Sequence, residues 1–143
     1  MKNSGNINAI IVDDESLSID VIEEYLKTFE NIVITGKFTK SKLAIETIKK
    51  ERPELLFLDI QTPKVNGFEL IESIQEFYNP YIIFVTAYDQ YAIKAFETNA
   101  LGYILKPIDE QKFKICVQKA INQLKENKLQ DLKGLLTNHI SNN

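Results

Sequence analysis

"LLFLDIQTPKVNGFEL" (residues 55–70) decides the fold. Leu55 to Leu58 are all apolar, and a run that short and that apolar reads as a strand buried on both faces. It ends in Asp59, then passes through a polar segment with Pro63 into an amphipathic stretch from Phe68. A strand buried on both faces belongs to a parallel sheet sandwiched between helices. A carboxylate at its tip then stands at an exposed sheet edge.

Outward from this stretch, strand and helix patterns alternate. Strands are expected at Ile7–Val12, Ile32–Thr35 (punctuated by Gly36), Leu55–Leu58, Tyr81–Val85 and Gly102–Leu105. The first helix starts at Ser16, where Leu17, Val21, Tyr25 and Phe29 recur every four positions beside Ile22 and Leu26. A second runs from Ser41 to Arg52 with Ala44 and Ile48 inward, stopped by Pro53. A third covers Phe68–Tyr78, with Ile71, Ile74 and Tyr78 inward, and a fourth covers Tyr88–Thr98. Asp109 suits the cap of a last helix whose Phe113, Val117, Ile121 and Leu124 face inward. Five such alternations imply an α/β fold, a doubly wound parallel sheet with helices on both faces joined by right-handed crossovers.

The chain has 143 residues, enough for one domain with its own core. Its formal net charge of −3 offers no basic footprint for nucleic acid or an anionic membrane. Cys116 is the only cysteine, which excludes an internal disulfide and suits a reducing compartment. Met1 to Asn8 lacks the apolar core of a signal peptide, and no apolar run approaches the ~20 residues of a membrane span. A cytoplasmic location is the expectation.

In open α/β sheets, ligands bind outside the carboxyl ends of the strands. Asp13-Asp14-Glu15 ends the first strand, Asp59 the third, Thr86 the fourth and Lys106 the fifth. Crowded carboxylates repel, and a hard divalent cation such as Mg²⁺ relieves the repulsion. A carboxylate can also attack phosphorus and form an aspartyl phosphate, while an ammonium and a hydroxyl neutralise the transferring oxygens. Each residue alone has a plainer reading: the acids as a helix start that complements the helix dipole, Thr86 as a strand end, Lys106 as a solvated lysine, Tyr103 as core. Their conjunction at one edge outweighs those readings. Cys116 reads as a small buried hydrophobe, Gly67 as a backbone requirement, and His139 as a solvated tail residue.

Together "IIVDDES", "LLFLDIQTPKVNGFEL", "IIFVTAYD" and "GYILKPID" resemble the receiver domains of two-component response regulators, from about Asn8 to Lys125. The resemblance implies a flavodoxin-like sheet of order 2-1-3-4-5, with Asp59 as phosphoacceptor. It implies Mg²⁺ as cofactor, held by Asp14, Asp59 and the backbone carbonyl of Gln61, with Asp13 acting through water. It makes Thr86 and Lys106 the phosphoryl contacts, Thr86 and Tyr103 the switch, and Lys106-Pro107 a cis peptide. Thr62 and Val65 depart mildly from the family, which often has methionines there. Gln61 and Tyr88 occupy variable positions that influence how water reaches the phosphoryl group.

"TAYDQYAIKAFETNALGYILKPID" (residues 86–109) looks like the receivers that precede a LytTR-type DNA-binding domain. The expected organisation is a receiver over 1–125 and a helix extension or linker over 126–143 toward an effector domain this chain lacks; a natural single-domain receiver is the alternative. The implied partners are a sensor histidine kinase and a second copy in a phosphorylation-dependent homodimer, with DNA reached only through the absent domain and no membrane. Two other classes compete. An Asp-nucleophile Mg²⁺-dependent phosphohydrolase usually carries a second acid two residues past the nucleophile, where this chain has Gln61. A phosphorylation-independent interaction module has no need of the acidic set.

Overall fold

A computed structural model describes residues 5–141, with side chains up to residue 137. His139 and its reading as a solvated residue lie outside the described side chains. Five strands and five helices alternate in the order β1 (Ile7–Val12), α1 (Ser16–Leu26), β2 (Ile32–Phe38), α2 (Ser41–Glu51), β3 (Leu55–Leu58), α3 (Gly67–Ile74), β4 (Tyr81–Thr86), α4 (Ala92–Phe96), β5 (Ala100–Leu105) and α5 (Glu110–Ser141). All strand pairs are parallel and the sheet order is β2-β1-β3-β4-β5. The doubly wound, flavodoxin-like fold read from the sequence is the fold observed.

The two-residue period of a strand sends alternate side chains to opposite faces. Ala9, Ile11, Leu55, Phe57, Ile83 and Val85 face one core, closed by α1 and α5. Ile10, Val12, Leu56, Leu58, Ile82 and Phe84 face the other, closed by α2, α3 and α4. In α5, Phe113, Val117, Ile121 and Leu124 are buried as their spacing implies. Asp109 caps that helix, its Oδ2 accepting the Lys112 N–H at 2.8 Å. The Lys106-Pro107 peptide is cis.

Several boundaries differ from the sequence reading. β2 does not stop at Gly36. The upper half of β1 needs a partner, so Ile10, Ile11 and Val12 pair with Gly36, Lys37 and Phe38 after a register shift. The α1 stripe is rotated: Ile19, Ile22 and Leu26 are buried, while Leu17, in the first turn, is exposed. α2 ends at Glu51 because Arg52 adopts a left-handed conformation, φ 49°. α3 gives way after Ile74 to turns in which the Phe77 and Tyr78 amides both reach the Ile74 carbonyl. Tyr78 is only half-buried, its hydroxyl enclosed without a hydrogen-bond partner.

α4 departs most, with five residues where eleven were expected. Tyr88 is held outside it, its amide on Thr86 Oγ1 at 3.4 Å and its carbonyl accepting from the Tyr103 hydroxyl. Tyr91 then falls at the N-cap, with no side-chain cap. The last helix, in contrast, continues to Ser141. Among the described residues no helix is long and apolar enough to cross a membrane.

Candidate functional site

Three ladder hydrogen bonds continue one residue past the strands and fix the edge. The Asp13 amide donates to Phe38 O at 3.0 Å, the Asp59 amide to Val12 O at 3.0 Å, and the Lys106 amide to Thr86 O at 2.8 Å. Each functional side chain therefore leaves from backbone that is still sheet-like. Asp59 is 5% exposed and Asp13 1%. Behind Asp59 lies Gly67, whose amide donates to Ile60 O at 2.9 Å. A Cβ on Gly67 would sit 2.7 Å from the Asp59 carbonyl oxygen and 3.2 Å from Ile60 Cα. Glycine is what lets the start of α3 close against the acidic residue.

Lys106 joins the acids. Its Nζ lies 3.0 Å from Asp59 Oδ2, 2.9 Å from Asp13 Oδ2 and 2.7 Å from Glu15 Oε1. Burial works against the ammonium charge, but Glu15, Asp13 and Asp59 more than offset it and hold Lys106 above the usual lysine range. For Asp13 the balance tips the other way. Burial pushes it up to about 6, although the Glu15 amide, 2.9 Å from Oδ1, and Lys106 both favour the carboxylate. Asp13 Oδ2 is enclosed and, apart from its ion pair with Lys106, takes no hydrogen bond of good geometry. One oxygen from each of Asp13, Asp14, Glu15 and Asp59 lies within 4.8 Å of the others. Negative charge here exceeds what one ammonium neutralises, and all the donors are hard oxygens. That donor set fits a divalent cation of the Mg²⁺ type.

The other residues singled out in the sequence stand around this cluster. The Gln61 amide donates to Asp59 Oδ1 at 3.3 Å. Thr86 is fully buried at the end of β4 and accepts from Tyr88. Tyr103 is half-buried, its ring centroid 6.1 Å from that of Phe84 and its hydroxyl on the Tyr88 carbonyl. Two features escaped the sequence reading. Glu15 makes the shortest contact to Lys106, and the Gln61 side-chain amide donates to the Tyr91 hydroxyl at 2.7 Å. No spacing rule signals contacts between side chains 91 and 30 residues apart; they depend on which strands become neighbours.

Comparison with known proteins gives this arrangement a context. The family model described as "Response regulator receiver domain" matches residues 9–118. The transcriptional regulatory protein BtsR of Escherichia coli (strain K12) is 44% identical over 104 residues, 73% of this chain and 44% of that protein. BtsR of Salmonella typhi is 40% identical over 120 residues, 84% and 48% of the respective chains. The chain thus spans less than half the length of these curated relatives. Among solved structures, the response regulatory domain of protein mrkE from Klebsiella pneumoniae superposes with a TM-score of 0.77 at 30% identity, covering 84% of this chain and 99% of that one.

Proposed function

The chain belongs to the response regulator receiver family, a family of signalling domains, and from that premise we propose that Asp59 is the phosphoacceptor in a phosphotransfer from a sensor histidine kinase. The observation that carries the reading is the Lys106 ammonium 3.0 Å from Asp59 Oδ2, at an edge where four acids converge. In the step, an Asp59 carboxylate oxygen bonds to phosphorus. The phosphorus–nitrogen bond of the kinase phosphohistidine breaks, and its electron pair stays on the imidazole. Lys106 follows the charge from the carboxylate to the phosphoryl oxygens, and the Thr86 hydroxyl donates to one of them. Gly67 and the Val12 carbonyl hold the acceptor in place meanwhile.

Asp14, Asp59 and the Gln61 carbonyl are the residues that would hold Mg²⁺, with Asp13 acting through water. When bound, the cation supplies charge neutralisation at the phosphoryl oxygens. Phosphorylation replaces the single negative charge of the Asp59 carboxylate with an acyl phosphate carrying roughly −1.5 to −2, a net gain of roughly −0.5 to −1 at the site. Thr86 and Tyr103 are the switch that reads it, Thr86 turning toward the phosphoryl group and Tyr103 into the space vacated. The face of α4, β5 and α5 carries exposed Ile93, Phe96, Leu105 and Ile115, which suits a second copy of the chain once the switch has moved.

Residues 126–143 lead, in this reading, toward an effector domain that regulates transcription, in keeping with BtsR being a transcriptional regulatory protein. A cytoplasmic location accords with such a role. With Mg²⁺ and acetyl phosphate, the intact mass should rise by one phosphoryl group, and Asp59→Asn should abolish the gain. A phosphorylated Asp59→Asn variant, or a wild type that never gains mass, would overturn the assignment.

A further inference from the structure

The contact between Gln61 and Tyr91 has no part in accepting a phosphoryl group. Gln61 is tied to the site by its backbone, through the 3.3 Å contact to Asp59 Oδ1. Its side chain is committed elsewhere, donating to the Tyr91 hydroxyl at 2.7 Å. Tyr91 is itself wedged in place. Its ring meets Phe68 of α3 at 6.2 Å between centroids and Tyr88 at 6.2 Å, both near edge-on. Its carbonyl accepts from Ala95, in the first turn of α4. One hydroxyl therefore connects the loop after β3 to the loop after β4 across the mouth of the site, in the open, where an amide would otherwise turn freely.

We propose that Tyr91 is a positioning residue that sets the lifetime of the aspartyl phosphate by holding the Gln61 side-chain amide away from the hydrolytic water. The proposal rests on Asp59 being the phosphoacceptor. In hydrolysis, a water oxygen bonds to phosphorus and the bond from phosphorus to the Asp59 oxygen breaks. The carboxylate leaves with the electron pair, and the protons of the water pass to phosphate and solvent. An amide is no base, but it both donates and accepts, so a free Gln61 amide beside the site can orient the attacking water. Bound to Tyr91, it is withheld from that task.

The test compares wild type, Tyr91→Phe, Gln61→Leu and the double variant. Tyr91→Phe keeps the ring against Phe68 and Tyr88 and removes only the hydroxyl. Each protein is loaded with Mg²⁺ and acetyl phosphate, desalted, and followed by intact mass as the phosphoryl group is lost. Tyr91→Phe should lose it about fivefold faster than wild type, equivalent to about 1 kcal/mol. In the Gln61→Leu background the same change should do nothing. An unaltered rate in Tyr91→Phe, or an acceleration that survives Gln61→Leu, would overturn the proposal. A second readout needs no phosphate: in the unmodified protein, the Gln61 side-chain amide resonances should shift and exchange faster with solvent in Tyr91→Phe. Resonances unchanged by the substitution refute the clamp itself. A wild type that never loads, with the resonances shifted as expected, would instead refute the reading of Asp59.

Discussion

α3 and α4 each follow a strand whose end carries a site residue, yet they are built to different standards. α3 starts on a reciprocal capping box, with Asn66 accepting the Glu69 amide at 2.9 Å and Glu69 accepting the Asn66 amide at 3.0 Å. It buries Phe68, Leu70, Ile71 and Ile74. α4 has five residues, no side-chain cap and one buried residue, Ala95, while Ile93 is 83% exposed. The wall that holds Asp59 is thus fastened by close packing and caps. The wall beside Thr86 is fastened chiefly by tyrosines, through the Tyr103 and Tyr91 hydroxyls and through rings resting on Phe84 and Phe68. On the proposed reading of Asp59 as the phosphoacceptor, the firm wall keeps the nucleophile still and the looser one is free to report on it, since moving elements come from the low-stability end of a structure.

The harshest way to break the contrast is to disturb the firm wall from behind. Gly67→Ala places a methyl group against backbone atoms that have no flexible side chain to yield. We expect a loss of about 3 kcal/mol in urea unfolding, the upper part of the range for overpacking, together with slower phosphorylation of Asp59. A variant as stable as wild type would show that α3 is not fitted closely to the acidic edge.

A change of nearly equal size and opposite sign is expected one strand away. With the Asp13 carboxyl raised to about 6 from an unfolded value of 3.8, the folded state binds the extra proton between those two pH values. Stability therefore falls as pH rises through that window, and by neutral pH the charged Asp13 costs about 2–3 kcal/mol in protein free of divalent cations. Asp13→Asn should raise stability by about that much at pH 7 and leave it nearly unchanged below about pH 4. Melts across that range with a chelator present would check it. A benefit that does not fade on acidification would mean that charge is not its source.

The smallest effects sharpen the comparison directly. Asn66→Ala removes one side of the capping box and should cost about 1 kcal/mol. Ile93→Ser, on the solvent face of α4, should stay within about 0.5 kcal/mol. Amide exchange of both variants should show α4 opening before α3 in each. Reversed order of protection would remove the basis for the contrast.

The firm half of the molecule was also the legible half. Leu55–Leu58 and Ile7–Val12 are read from residue type alone because both their faces are buried, so nothing outside the strand alters the pattern. The acidic edge follows from the same strands, whose neighbouring ends place Asp13 and Asp59 side by side, while Lys106 reaches both from the end of β5. α4 was overestimated because the fate of Tyr88 and Tyr91 is decided by partners in other elements: Thr86, Tyr103 and Gln61. Propensity has no access to those partners. The continuation of β2 past Gly36 is likewise set by β1, whose upper residues require a neighbour. Leu17 fits the period of its helix but lies in a first turn that extends beyond the core.

α5 starts beside the acidic edge and runs to the far end of the sheet. There Asn127 donates to the Tyr81 hydroxyl at 2.8 Å and Lys128 pairs with Glu54, at the starts of β4 and β3. Thirteen further residues, to Ser141, overhang that anchorage by about 20 Å at 1.5 Å per residue. Mechanically this is a boom on a pivot. A tilt of about 5° at the Lys128 fulcrum sweeps the tip through about 2 Å for that length of helix. Leu129, Leu132, Leu135 and Leu136 ride on that arm, where the sweep grows from almost nothing at Leu129 to about 1 Å at Leu136, so a displacement too small to disturb the packed core is felt most by the outer pair of leucines.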